Sequence, residues 1–223
     1  MPSKNQTDLH IFDCDGVILD SNDLKVAALR SSLESIAFPD RLVAWMTAEF
    51  RANFGRTRAM HFEVFRNHAQ LQGFHVDQKE MDIAMQRYSE SVRFLYSDCT
   101  IIGETKSYID ELPTESLVFV VSASDQSELR ELLPEKYPIL KRDHIFGGPI
   151  PKLQNISNVL GLTKASEAFF YGDSILDAKA ALDAGIRFVG LKKYSADQKS
   201  LEDFCMSNNL DCVEDCSEVV LYE

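Results

Sequence analysis

The chain has 223 residues, 45% of them hydrophobic and 26% charged, enough to bury a full core and to hold one domain with a sizeable insertion or two small domains. Acidic residues outnumber basic ones by 35 to 23, a formal charge of −12, so nucleic acid and anionic membranes are not expected as partners, since both need a basic face. The same field repels phosphate-bearing ligands, and any such ligand needs a bound cation and a few placed Lys or Arg.

The N-terminal run from Met1 to Asp8 is polar and lacks the apolar core of a secretory signal. No stretch approaches the ~20 apolar residues of a membrane span. A cytoplasmic chain is expected. Leu9 to Asp13 reads as a short buried strand ending in a carboxylate. Residues 22–96 then carry four amphipathic stretches and no strand pattern. Val26, Leu29, Leu33 and Ile36 repeat at helical spacing, as do Leu42, Met46, Phe50 and Phe54, then Met60, Val64 and Leu71, then Met81, Met85, Tyr88, Val92 and Leu95. They predict a small helical bundle inserted after the first strand. Beyond it, strands are expected at Leu117 to Val121, Ile145-Phe146, Ala168 to Tyr171 and Phe188 to Leu191, with helices at Ser124 to Leu133, Lys152 to Leu160 and Ile175 to Ala184. That alternation predicts an α/β fold with an open parallel, Rossmann-like sheet. Residues 1–21 and 97–223 would form the core and 22–96 the insertion. The five cysteines, Cys14, Cys99, Cys205, Cys212 and Cys216, include no Cys-x-x-Cys pair and no neighbouring His, so free thiols are expected, Cys14 as a small apolar filler.

Ligands of an open parallel sheet bind beyond the carboxyl ends of its strands. There the sequence places Asp13-Cys14-Asp15-Gly16-Val17, then Ser122, then Gly172-Asp173-Ser174 with Asp177 one turn later, and Lys152 at a helix start. Carboxylates gathered from separate strands repel one another unless a cation joins them, and oxygen ligands without Cys or His favour Mg²⁺. Ser122, the backbone N–H groups after it, the N-terminus of the helix near Asp125 and Lys152 could hold a phosphate. Around Gly55, Arg51, Arg56, Arg58 and His61 could reach a substrate carboxylate or second phosphate; the plainer reading is a solvated helix face.

Asp-x-Asp-Gly-Val, a strand ending in Ser, a Lys, and Gly-Asp-Ser-x-x-Asp, in that order, resemble the four motifs of the haloacid-dehalogenase-like superfamily. The Asp20-Ser21 pair adds a likeness to its phosphoglycolate-phosphatase and β-phosphoglucomutase branch. The resemblance runs from Ile11 to about Leu191 and implies that the helical insertion is a cap. It implies a phosphatase in which Asp13 becomes phosphorylated and Asp15 acts as acid and base, with a pKa raised above ~3.9 when substrate is bound. It also implies that Ser122 and Lys152 bind the phosphoryl group, that Gly16, Ala123 and Arg56 touch substrate, and that Mg²⁺ rests on Asp13, the Asp15 carbonyl and Asp173, with Asp177 as ligand or orienter. The partner would be a small phosphorylated metabolite, and the chain a monomer. Asp15 disfavours a dehalogenase or a phosphonatase. A phosphosugar mutase is the enzymatic alternative; its relatives often carry Glu-Asp where this chain has Gly172-Asp173. A non-catalytic binding subunit is the alternative outside enzymes.

Overall fold

The structure, a computed structural model, describes residues 8–36 and 38–220. The polar stretch 1–7, part of the basis for expecting a cytoplasmic chain, lies outside the described residues. Among the described residues the strands are β1 (Leu9–Phe12), β2 (Leu117–Asp125), β3 (Ile145–Gly148), β4 (Ala168–Gly172), β5 (Arg187–Leu191) and β6 (Asp211–Val213). They form one parallel sheet in the order β3-β2-β1-β4-β5-β6. β1 lies between β2 and β4, pairing Leu9 with both Leu117 and Ala168. The chain therefore winds one way from β1 through β2 to β3, then returns across β1 to lay down β4, β5 and β6.

Side chains alternate across a strand, and here each set has its own core. Phe12 and Tyr171 stack at 4.5 Å on one face, while Leu9, Ile11, Phe119 and Phe170 fill the other. Both faces are buried, which explains the near-continuous apolar runs of these strands. His10 belongs to this packing. It is buried, shares a hydrogen bond with the Tyr171 hydroxyl at 2.9 Å and stacks on Phe169.

Between β1 and β2 run α1 (Asn22–Glu34), α2 (Asp40–Ala52), α3 (Arg58–Leu71), α4 (Gln78–Asp98) and the short α5 (Gly103–Glu111). α1 packs on α2 and α4, α4 reaches α6 (Gln126–Lys136), and α3 reaches β2. Beyond them lie α7 (Lys152–Leu162), α8 (Ile175–Asp183) and α9 (Gln198–Ser207). The buried stripes expected for α1, α2 and α4 are present. That of α3 is not: Met60 and Leu71 are exposed, and the buried face is His61, Phe62, Phe65 and Ala69. The aromatic rings outweigh the aliphatic residues used to set the phase, because they fill the space against Phe50 and Tyr88.

β2 runs four residues further than expected, so its helix starts at Gln126 rather than Ser124, after Asp125 as cap. β6, α5 and α9 are not among the expected elements. All five cysteines are free thiols, and Cys14 is fully buried. Among the described residues no helix is long and apolar enough to cross a membrane.

Candidate active site

Asp13 follows β1 directly. Its N–H donates to the Tyr171 carbonyl at 2.9 Å, extending the ladder and fixing the carboxylate at the edge of the sheet. β4 delivers Asp173 beside it, and the first turn of α8 delivers Asp177. All three are buried, and each offers an oxygen within 4.8 Å of the others. Lys152, the first residue of α7, lies 3.0 Å from Asp13 Oδ1, an ion pair without hydrogen-bond alignment, and donates to Asp177 Oδ1. The other Asp177 oxygen accepts from the Ser174 hydroxyl at 2.7 Å and N–H at 3.2 Å, closing a capping box. Asp177 is thus a helix-capping acid and a member of the acidic cluster at once.

Two glycines let this cluster close. Gly16 sits at φ 74°, and a Cβ there would run into the Asp173 carboxylate and Asn22. A Cβ on Gly172 would lie 2.5 Å from that of Asp177. Burial raises the pKa of Asp13, with Lys152 opposing it and Asp177 adding to it. Burial raises Asp173 further, reinforced by Asp177 and Asp13. A divalent cation would relieve this repulsion. The donors are hard carboxylate oxygens with no Cys or His among them, so the residues present fit Mg²⁺.

Asp15 points elsewhere. Its Oδ1 accepts from the Ser21 hydroxyl at 2.6 Å and the Tyr96 hydroxyl at 2.7 Å. Its Oδ2 accepts from Lys25 at 2.9 Å and the Ser124 hydroxyl at 2.7 Å. Burial alone would raise this carboxyl, but Lys25 and the hydroxyl donors outweigh it and hold Asp15 at about 2. The raised pKa expected for Asp15 with substrate bound is therefore not that of the ligand-free site, because an ammonium in hydrogen-bond contact defeats desolvation. Outside the acidic cluster, the Asp15 side chain leaves only its backbone carbonyl for a metal.

Above Asp13 lies a cavity lined by Asp15, Lys25, Phe50, Phe54, Arg56, Arg58, His61, Tyr88, Ser122, Ala123 and Asp173, among others. Its free space is about 30 Å³, room for about two water molecules. Ser122, Ala123 and Arg56 lie on the cavity wall. Gly16 does not line it, and its N–H is spent on the Leu19 carbonyl at 2.8 Å. Arg51 turns away to Asp23 at 2.6 Å. The N-terminus of α6 is closed: the Asp125 carboxylate accepts from the N–H groups of Ser127 and Glu128 at 2.9 and 3.1 Å, leaving those donors no anion to bind.

Lys25, Asn22, Tyr96 and Ser124 are not among the expected site residues. Asn22 donates to Asp173 at 2.7 Å and to the Tyr194 carbonyl at 3.0 Å. Ser21 and Lys25 are four residues apart, the spacing that puts two side chains on one helical face, and that signal could have found Lys25. Tyr96 and Ser124 carry no local signal; only the packing of α4 over β2 brings them to Asp15.

A profile of the haloacid dehalogenase-like hydrolases matches residues 10–191. No curated protein sequence matches the chain. Among solved structures, a hydrolase from Pseudomonas syringae superposes with a TM-score of 0.71 at 15% identity, covering 95% of this chain and 94% of that one. A predicted phosphoglycolate phosphatase from Haemophilus somnus 129PT does so with a TM-score of 0.71 at 16% identity, covering 97% of each chain. A protein assigned as a β-phosphoglucomutase from Bacteroides vulgatus gives 0.71 at 17% identity, covering 95% and 85%. At such identities the likeness is one of fold.

Proposed function

The chain belongs to the haloacid dehalogenase-like hydrolases, and from that premise we propose that it is a Mg²⁺-dependent phosphatase acting on a small phosphorylated metabolite. The observation that carries this reading is the meeting of Asp13, Asp173, Asp177 and Lys152 at the carboxyl ends of β1 and β4. In this reading residues 22–96 act as a cap over a core formed by 1–21 and 97–223.

Asp13 attacks phosphorus and becomes an aspartyl phosphate, which water then resolves. Mg²⁺ held by Asp13, Asp173, Asp177 and the Asp15 carbonyl would neutralise phosphoryl charge, so that a carboxylate can approach an anion. Lys152 and Ser122 hold the phosphoryl oxygens. Asp15, kept ionised by Lys25, is in the form that takes a proton from the attacking water. Giving a proton to the leaving oxygen requires the Lys25 pair to open first. Gly172 ahead of Asp173 supports hydrolysis over phosphosugar transfer, where Glu-Asp is common.

The test is rapid acid quench with an aryl phosphate, followed by peptide mass mapping. The expected result is inorganic phosphate in solution and one phosphoryl group on the peptide containing Asp13. A label on another residue, or an isomerised sugar phosphate as the main product, overturns the reading.

A further inference from the structure

The wall of the cavity facing Asp13 is built by α1, α2, α3, α4 and the loop between α2 and α3, and its charges are already spent. Three cations line it, and each is matched with a carboxylate. Lys25 meets Asp15 at 2.9 Å, Arg56 meets Glu49 at 2.6 Å, and Arg58 meets Glu128 at 3.0 Å. Arg58 also donates to the Ser89 hydroxyl at 2.6 Å. The arginines read from the sequence as receptors for a carboxylate or second phosphate therefore have internal partners. A second anion on the substrate would have to break one of these pairs and strand a half-buried or buried Asp or Glu.

Polar atoms without a hydrogen-bond partner remain in this cavity, among them Asn22 Oδ1 beside Asp173 and, on the helical wall, His61 Nδ1. His61 is 2% exposed, lines the cavity, and its Nδ1 has no hydrogen-bond partner. Its ring is held by aromatic contacts alone, with Phe50 at 4.5 Å and Phe65 at 5.9 Å between centroids. Burial, with Arg56 and Lys25 adding to it, lowers its pKa to about 3, so the imidazole is neutral near pH 7. A neutral imidazole offers one N–H donor and one acceptor, the pair that a hydroxyl group complements. A buried polar atom left unpaired costs stability, and a phenylalanine would pack against Phe50 without that cost. The remaining wall, Phe50, Phe54 and Tyr88, is aromatic and suits a carbon skeleton.

We propose that His61 reads the leaving group, and that this site favours phosphomonoesters of a neutral, hydroxyl-bearing alcohol over esters carrying a second anion. The proposal rests on the phosphatase reading and narrows it: the two ester classes that the family resemblance leaves open are separated here by the pairing of the cavity's charges.

The experiment compares kcat/KM for 2-hydroxyethyl phosphate, 2-phosphoglycolate and ethyl phosphate, with phenyl phosphate as reference, in Mg²⁺. The first two differ by a hydroxymethyl group against a carboxylate, the first and third by the hydroxyl alone. Wild type should prefer 2-hydroxyethyl phosphate to 2-phosphoglycolate by about tenfold or more, and to ethyl phosphate by about tenfold. His61→Phe, which keeps the ring and removes its nitrogens, should bring the hydroxyethyl-to-ethyl ratio close to one. His61→Asn, which restores a donor and an acceptor near Nδ1, should recover part of that ratio. Equal or better turnover of 2-phosphoglycolate by wild type overturns the proposal while phenyl phosphate hydrolysis leaves the phosphatase reading standing. A hydroxyethyl-to-ethyl ratio unchanged in His61→Phe also overturns it. Because the wild-type comparison needs no variant, misfolding of either substitution does not shield the proposal. If none of the four esters is hydrolysed, the phosphatase reading falls, and this proposal with it.

Discussion

Replacing Lys25 with Met removes the cation in contact with Asp15 among the described residues and leaves a carboxylate with three hydroxyl donors in a buried site. The side chains of the pair are 12% and 8% exposed. Asp15 sits at about 2 against an ordinary 3.8, and two pKa units correspond to about 2–3 kcal/mol of native-state preference for the charged form. That figure is net of the burial penalty, so the donors together supply more than it. Breaking a buried pair by removing one partner typically costs 3–5 kcal/mol. With Ser21, Tyr96 and Ser124 still bonded, the lower end, about 3 kcal/mol, is expected. In a chain of this size that lowers Tm by roughly 6–12 °C. The sign of the pH dependence follows from the depressed pKa: the wild-type contribution is complete above pH 3.8 and disappears as pH falls through 2. The assay is urea unfolding of wild type, Lys25→Met, Asp15→Asn and the double variant, combined as a cycle. A coupling energy below about 0.5 kcal/mol would show that Lys25 does not hold Asp15.

Asp13→Asn should abolish phosphate release and leave the fold intact; turnover and a thermal melt measured together check it, and activity within tenfold of wild type removes Asp13 as the nucleophile. Chelation with EDTA should stop activity, with Mg²⁺ restoring it and Ca²⁺ failing to, because Ca²⁺ takes more ligands at longer distances and can draw both Asp13 oxygens onto the metal. Full activity in EDTA after dialysis refutes the metal assignment. Gly172→Ala places a methyl against Asp177 and should cost about 1–3 kcal/mol by overpacking, read by urea unfolding, with a fall in kcat as the cluster is displaced. His10 is held neutral by burial, its pKa lowered to about 4 from 6.5. The unfolded chain therefore binds the extra proton between those values, and stability should drop by about 3 kcal/mol as pH falls from 6.5 to 4; His10→Phe should flatten that part of the urea profile, and an unchanged profile speaks against it.

The acidic cluster was legible in the sequence because each of its members is tied to a strand end. An apolar run ending in Asp is visible one-dimensionally, and parallel pairing then places Asp13 beside Asp173 without further information. The Asp15 partners were not legible in that way. Lys25 is a surface-type residue on a predicted helix, Tyr96 closes another helix, and Ser124 stands where a helix was expected to begin. Their meeting depends on how α1 and α4 lie over β2, which no local periodicity encodes. The phase of α3 failed for a related reason. Met60, Val64 and Leu71 suggested one stripe, while the buried face is set by ring packing of His61 against Phe50 of α2 and of Phe62 against Tyr88 of α4. Hydrophobic type alone does not decide which of two overlapping stripes is buried.

The two halves of the site differ in where their partners come from, and this bears on how chemistry and entry are linked. Asp13, Asp173, Asp177 and Lys152 all hang from the sheet and its following helices, and a hydrogen bond from Asn22, at the start of α1, to Asp173 at 2.7 Å ties them to the inserted helices. Asp15 draws Ser21 and Lys25 from the start of α1, Tyr96 from the end of α4 and Ser124 from β2. Lys25 also donates to Ser124 at 3.0 Å, bridging helix and sheet. A shift of α1 and α4 away from the sheet would part Lys25 and Tyr96 from the carboxylate. Loss of those donors removes the opposition to burial in setting the Asp15 pKa. In the phosphatase reading, the acid form that protonates a leaving oxygen would therefore be favoured with those donors parted. The base form returns when they close again around the carboxylate. A carboxylate with partners on both sides of the entrance thus ties proton state to helix position, whereas the acidic cluster draws its cation, Lys152, from the sheet side.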